Sequence, residues 1–292
     1  MGEKVGIYLR LSREVVEWLR RRVPARKGSL SGFVESLLRR EMRGGWGVGF
    51  GPGAGREVTS PSAWVRGRKL PRSLLLVFTE PAIAAVKDVV KVTGRLKFIP
   101  AVEALTAEFG GVELSIVQPY LGAPATVMAI ELAIAAGVER VVAVGECASI
   151  SPSARIGDVI VPTWGIREEG TSYHYAPPGH VPRPDGELAR GLCKALRERG
   201  LEVRVGGVWS TDAFFRETED KVASYADRGV LGVDMETTAI FTVAAFRGAR
   251  AAAALVVSDE LYGGSWRMGW GTSSLIRAER EAALAALEVL SR

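Results

Sequence analysis

Two carboxylates, Glu236 and Asp259, each stand where an apolar run gives way to a loop or helix, in the stretch GVLGVDMETTAIFTVAAFRGARAAAALVVSDE from Gly229 to Glu260. A carboxyl group so placed can pass a proton to or from a reacting group, or accept hydrogen bonds from hydroxyls. The elements around them follow from local pattern. GVLGV is short, apolar and broken by Gly, which predicts a buried strand that stops at Asp234. In TTAIFTVAAF, residues Ala239, Ile240, Val243 and Ala244 fall on one helical stripe, and Gly248 stands where a helix C-cap is expected. AAAALVV predicts a second buried strand with Ser258 and Asp259 at its carboxyl end. Ligands of open α/β sheets bind outside strand carboxyl ends, so two acids at two such ends make a candidate site.

The remainder alternates strand and helix, as doubly wound α/β chains do. Buried strands are predicted at residues 73–78, 112–117, 141–145, 158–161 and 203–209, besides 230–233 and 251–257. Helices are predicted at 82–92, 123–136, 185–199, 217–225 and 274–290. The stretch 44–55, GGWGVGFGPGAG, has seven glycines in twelve residues and reads as a flexible linker. The expected organisation is a segment at 1–43, a Gly-rich linker at 44–68 and an α/β domain at 69–292.

Met235-Glu236 followed by Ser258-Asp259 resembles the nucleoside phosphorylase family, purine nucleoside and uridine phosphorylases included. Upstream, Trp209-Ser210-Thr211-Asp212-Ala213-Phe214-Phe215 resembles the family segment whose aromatic stacks on the base. Gly145-Glu146-Cys147-Ala148-Ser149-Ile150 with Ile156-Gly157-Asp158-Val159-Ile160-Val161-Pro162 resembles its central strand-turn-strand, and Leu121-Gly122-Ala123-Pro124-Ala125-Thr126 its Gly-rich turn. The resemblance implies an α/β fold: a central mixed β-sheet flanked by helices, here preceded by a small β-α-α segment. It also implies a homo-oligomer, dimeric or hexameric, and a purine nucleoside as ligand. Under it, Glu236 accepts hydrogen bonds from the ribose hydroxyls, Met235 packs on the sugar, Phe214 stacks on the base, and Ser258 and Gly122 help line the pocket. Asp259 protonates or hydrogen-bonds the purine as the glycosidic bond breaks.

The family's anion site is altered. Its Gly-Asp-Pro turn reads Thr79-Glu80-Pro81 here, the arginine positions carry Ile83 and Ala143, and its Gly-Thr has become Gly145-Glu146. Bidentate arginine is the usual way to fix a phosphate. Tyr120, where the turn prefers Gly, would fill space near the ribose. Three readings stay open. One is an enzyme that cleaves nucleosides with water oriented by Glu80 or Glu146. Another is a nucleoside sensor without catalysis, and the third a phosphorylase whose anion is held by Arg167 or main-chain amides.

Charge is uneven. Residues 1–43 hold eleven Lys or Arg against five Asp or Glu, a net +6 in a chain of net +5. Alternation over 4–11, a Ser12 helix cap and a second helix capped by Ser31 resemble a ribbon-helix-helix DNA-binding unit. That resemblance points Tyr8 and Arg10 at bases, sets Ser29 beside a phosphate, and makes DNA a partner. Hydrophobic residues make up 47% and charged ones 24% of 292, ordinary for a globular chain. No apolar run approaches membrane-spanning length, the first residues are too charged for a secretory signal, and two cysteines make no disulfide framework, so the cytoplasm is expected. Neither the two histidines, His174 and His180, nor the cysteines have metal-site spacing, and no cofactor or metal is expected.

Overall fold

In a computed structural model, residues 12–22, 34, 57–99 and 102–292 are described. The chain divides into two units, residues 1–51 and 52–292. In the first, α1 (Arg13–Arg22) begins with the Val15 amide 3.4 Å from the Ser12 hydroxyl, which accepts from it. Tyr8, Arg10 and Ser29 lie outside the described residues.

In the second unit, apolar runs buried on both faces become strands of a covered sheet. β1 (Ser73–Val77) is buried throughout, and β5 (Arg140–Ser149) and β9 (Arg250–Glu260) almost so. They join β2 (Lys91–Ile99), β3 (Val102–Phe109), β4 (Val112–Val117), β6 (Val159–Glu168), β7 (Val203–Thr211), β8 (Val230–Asp234) and β10 (Arg267–Met268) in one sheet of order β10-β9-β6-β7-β8-β5-β1-β4-β3-β2. β5 pairs with β9 as well as β8, so five strands close into a ring. The sheet is mixed: β1–β4, β1–β5 and β5–β9 run parallel, while β5–β8 and β6–β9 run antiparallel. Helices α3 (Glu80–Val89), α5 (Gly186–Glu198) and α8 (Ser273–Leu290) bury Ile83, Leu192 and Ala282 in one core, and α4 (Ala123–Ala135) and α7 (Thr237–Phe246) bury Ile130 and Ile240 in another. This is the expected class, a mixed sheet flanked by helices. Among the described residues no helix is long and apolar enough to cross a membrane.

The structure departs from expectation in four places. The helix predicted to reach residue 92 stops at Val89, because β-branched Val90, Val92 and Thr93 continue into β2. That strand is mostly exposed and carries Lys91, Arg95 and Lys97, the charges that keep a sheet edge from pairing further. β3 (VEALTAEF) has helix-favouring composition, overridden by its antiparallel pairing with β2 and β4. A short helix, α2 (Pro61–Val65), occupies sequence read as linker, and its Val65 is buried.

Candidate active site

Register brings the two acids together. Ala148 of β5 pairs with Val233 of β8 on one side and with Asp259 of β9 on the other. A shift in the β5–β9 register after Cys147 leaves Ser258 in a bulge, the device by which a strand re-aims a side chain. The ends of β8 and β9 therefore flank one point of β5, where a cavity of about 800 Å³ opens. Met235, Glu236, Ser258, Asp259, Glu146 and Phe214 all line it.

A hydrogen-bonded turn fixes Glu236. The Ser210 hydroxyl donates to Asp234 Oδ1, Asp234 Oδ2 accepts from the Thr237 amide at 2.8 Å, and the Thr238 amide donates to Ser210 Oγ at 3.0 Å. These bonds tie β7, β8 and the start of α7 and leave Glu236 turned inward. Its Oε1 accepts from the Gly122 amide at 2.5 Å and its Oε2 from the Met235 amide at 3.3 Å. Gly122 has φ +98°, a backbone that side chains rarely adopt, so glycine is what lets this amide reach the carboxylate. Two amide donors favour the charged form, yet burial, reinforced by Asp234, outweighs them and pushes the Glu236 carboxyl up to about 8.

Asp259 is nearly inaccessible. Its Oδ2 accepts from Trp266 Nε1 at 2.7 Å, and its Oδ1 lies 2.7 Å from Ser258 Oγ. Ser258 Oγ is also 3.2 Å from the Cys147 carbonyl oxygen. One hydroxyl proton serves one acceptor. Donated to Asp259, it joins the Trp266 indole N–H in favouring the charged carboxylate. Burial opposes and outweighs both donors and raises the Asp259 carboxyl. Phe214 stands edge-on to Trp266, with ring centroids 6.1 Å apart.

The cavity also holds acids that sequence reading missed. Glu217 and Glu279 line it, making six carboxyl side chains with Glu146, Asp234, Glu236 and Asp259, and among the described residues no Lys, Arg or His lines it. Burial, then Asp259 and Glu168, pushes Glu217 up to about 8; burial and Glu146 push Glu279 up to about 7. Glu146 is raised as well, chiefly by burial, with Trp270 Nε1 donating to its Oε2 at 3.3 Å. Glu279 had a signal in the sequence: it is an acid on the face of α8 formed by Leu275, Ala278, Ala282 and Ala283. Trp266 and Trp270 follow Ser258-Asp259 on a loop that returns over β9 through β10. There Gly269 passes so close to the Ser258 carbonyl that an added Cβ would sit 2.6 Å from it.

Other expected groups lie elsewhere. Glu80 begins α3 with its side chain exposed and accepts from Gln118 Nε2 at 2.9 Å, away from the cavity wall. Tyr120 is 69% exposed and is not part of the wall, whereas its neighbour Leu121 is. Gly122 contributes an amide rather than lining surface. The Arg167 guanidinium is buried against Ser172 Oγ at 2.7 Å and the carbonyls of Pro177 and Ala176 at 2.7 and 3.0 Å, outside the wall. It organises the 171–180 loop. Cys147 lines the cavity as a buried thiol pushed well up by that burial, the opposite of an activated nucleophile.

The family model described as phosphorylase superfamily matches residues 74–291. The chain belongs to the phosphorylase superfamily. It is 30% identical over 161 residues to a guanosine phosphorylase of Halorubrum lacusprofundi, covering 55% of this chain and 67% of that one. It is 35% identical over 162 residues to a DeoD-type purine nucleoside phosphorylase of Bacillus cereus, covering 54% and 68%. In fold, this superfamily chain is similar to uridine phosphorylase from Vibrio fischeri, with a TM-score of 0.69 at 21% identity over 80% of this chain and 99% of that one. It is also similar to purine nucleoside phosphorylase from Toxoplasma gondii, solved with immucillin-H, with a TM-score of 0.67 at 18% identity over 78% and 92%.

Proposed function

We propose that this chain binds a purine nucleoside in the acid-lined cavity and cleaves its N-glycosidic bond with water in place of phosphate. The observation that carries this reading is the composition of the wall: six carboxyl groups, with no cation among the described residues. Like charges at 4 Å repel by about 4 kcal/mol at an effective dielectric of 20, so a phosphate dianion is disfavoured where these acids ionise. Ile83 and Ala143, at the positions where the resemblance expects arginines, are buried apolar residues of the cores. Arg167 is committed to its loop.

Glu236 is suited to accept the ribose hydroxyls, and Phe214 to stack on the base, where an aromatic pair adds about 1 kcal/mol. Cleavage needs a leaving base that gains a proton as the C1′–N bond breaks and its electron pair moves to nitrogen. Asp259, whose carboxyl burial raises, is the donor. Water supplies the oxygen that bonds to C1′, and its proton passes to the Glu146 carboxylate. The products are free base and free sugar.

The test is base release from inosine, guanosine or adenosine in phosphate-free buffer, followed by addition of phosphate. Release that is independent of phosphate supports the reading; release only with phosphate, forming a sugar 1-phosphate, overturns it.

A further inference from the structure

Glu279, like Glu217, is a wall acid that the hydrolytic reading leaves without a task. It lies on α8, is 3% exposed, and faces the corner of the cavity where β5 presents Glu146. The two carboxyl groups are hydrogen-bonded to each other. Carboxylates only accept, so such a bond exists only while one member carries a proton. Each has a neutral donor beside it, the Trp270 indole N–H 3.3 Å from Glu146 Oε2 and the Thr79 hydroxyl at Glu279. The bond between the carboxyls holds Glu146 down and Glu279 up, which makes Glu279 the donor.

We propose that Glu279 is a positioning residue for the nucleophile: it holds one proton against Glu146, keeping the corner a monoanion that can take a proton from water but cannot accommodate a phosphate dianion. The proposal rests on the hydrolytic reading for its catalytic consequence and on the cavity's geometry for the shared proton. During attack, the water proton goes to Glu146, the oxygen bonds to C1′, and the pair becomes doubly protonated. Release of one proton to solvent restores it. The charged and titratable groups facing the pair are the Asp259 carboxyl and Cys147 thiol near Glu146, with Glu217, Asp234 and Glu236 further around the wall. All are acids. Burial and the Glu146 charge together push the Glu279 carboxyl up to about 7.

The experiment follows the glutamate side-chain carboxyls by ¹³C NMR during a pH titration of the wild-type protein, E146Q and E279Q. The expected result is a resonance with a midpoint near 7, absent in E279Q and displaced downward by at least one pH unit in E146Q, where no like charge stands beside it. An unmoved midpoint in E146Q, or no carboxyl assignable to Glu279 titrating near 7, overturns the proposal. Glutamine at 279 keeps a donor for Glu146 but cannot ionise. The ratio of kcat for E279Q to wild type should therefore rise at least threefold between pH 6 and pH 9, whereas a purely structural Glu279 gives a ratio that does not vary with pH. Wild-type protein inactive without phosphate would defeat the hydrolytic reading and with it the catalytic consequence. Normal hydrolysis with no titration near 7 would defeat the shared proton alone.

Discussion

Glu260 and Glu279 are equally buried, each 3% exposed, and the chain treats them in opposite ways. Glu260, just beyond Asp259 on β9, accepts from the Ile156 amide at 3.1 Å, from the Tyr262 hydroxyl and from the Arg267 guanidinium, with Arg155 4.0 Å away. Glu279 meets another carboxyl. Glu131 repeats the first pattern, held by both Arg247 Nε at 2.7 Å and Arg247 Nη2 at 2.9 Å. Outside the cavity, Glu131, Asp158 and Glu260 receive guanidinium partners, and Glu169 is held by the Ser172 amide and the Ser172 and Thr238 hydroxyls; on the cavity wall, none of six has a guanidinium. Burying charge without a partner costs several kcal/mol, and carboxyls so placed hold protons instead. Such an arrangement is what a site that handles protons and neutral hydroxyls requires.

The contrast is broken most severely at the proposed acid. Asp259→Asn keeps a hydrogen-bonding group but removes the proton donor. General acid catalysis contributes roughly 10²–10⁴-fold, so base release should fall by at least about 100-fold with the fold intact. Unchanged release, measured by base absorbance, would assign the acid elsewhere. Next comes the matched pair of neutralisations. Glu260→Gln leaves Arg155 and Arg267 without their carboxylate and should lower stability by about 1–3 kcal/mol in a denaturant titration. Glu279→Gln removes a like charge from its neighbour and should raise Tm at pH 8.5 by roughly 2–4 °C, the shift that about 1 kcal/mol produces in a domain of this size. If both variants lose stability equally, the two acids are not different in kind.

Proton linkage extends the same comparison to pH. Glu217 and Glu236 are held up to about 8 and Glu279 to about 7, against an ordinary 4.5. Between these values the folded protein keeps protons that the unfolded chain has released, so stability must fall as pH rises. The contribution is full below about 4.5 and lost once pH passes about 8. Thermal unfolding of the unliganded protein should therefore show Tm declining from pH 5 to pH 8.5, less steeply in Glu217→Gln. A flat or rising profile would mean that these acids ionise freely.

Much of this was legible in the sequence. The runs at 230–233 and 251–257 had to be buried strands because nothing polar interrupts them, and the acids at their ends had to share an edge once both strands neighboured β5. What sequence could not supply was side-chain direction. Glu80 and Glu146 looked interchangeable as water-orienting groups, yet Glu80 starts a helix and leans outward, whereas Glu146 sits mid-strand on the inner face. Glu279 was overlooked because an acid within an amphipathic helix is usually assigned to its wet side, although its spacing from Leu275, Ala278, Ala282 and Ala283 sets it on the apolar face. Trp266 and Trp270 were hidden because a short Gly-flanked loop carries no periodicity, and their positions depend on β10 doubling back along β9.

The smallest expected effect concerns those indoles. Trp266 donates to Asp259 Oδ2 at 2.7 Å and is about half exposed, so a purine approaching Asp259 competes with its N–H. Trp266→Phe retains an aromatic ring beside Phe214 but offers Asp259 no donor. Removing the competitor should lower KM for a purine nucleoside by two- to fivefold, a change worth at most about 1 kcal/mol. Phe214→Leu acts in the opposite sense: loss of about 1 kcal/mol of stacking should raise KM about fivefold and leave the pH profile unmoved. Nucleoside binding should also alter the tryptophan emission of wild-type protein more than that of Trp266→Phe. If Trp266→Phe instead raises KM as Phe214→Leu does, the indole is a wall of the base pocket rather than a rival for Asp259.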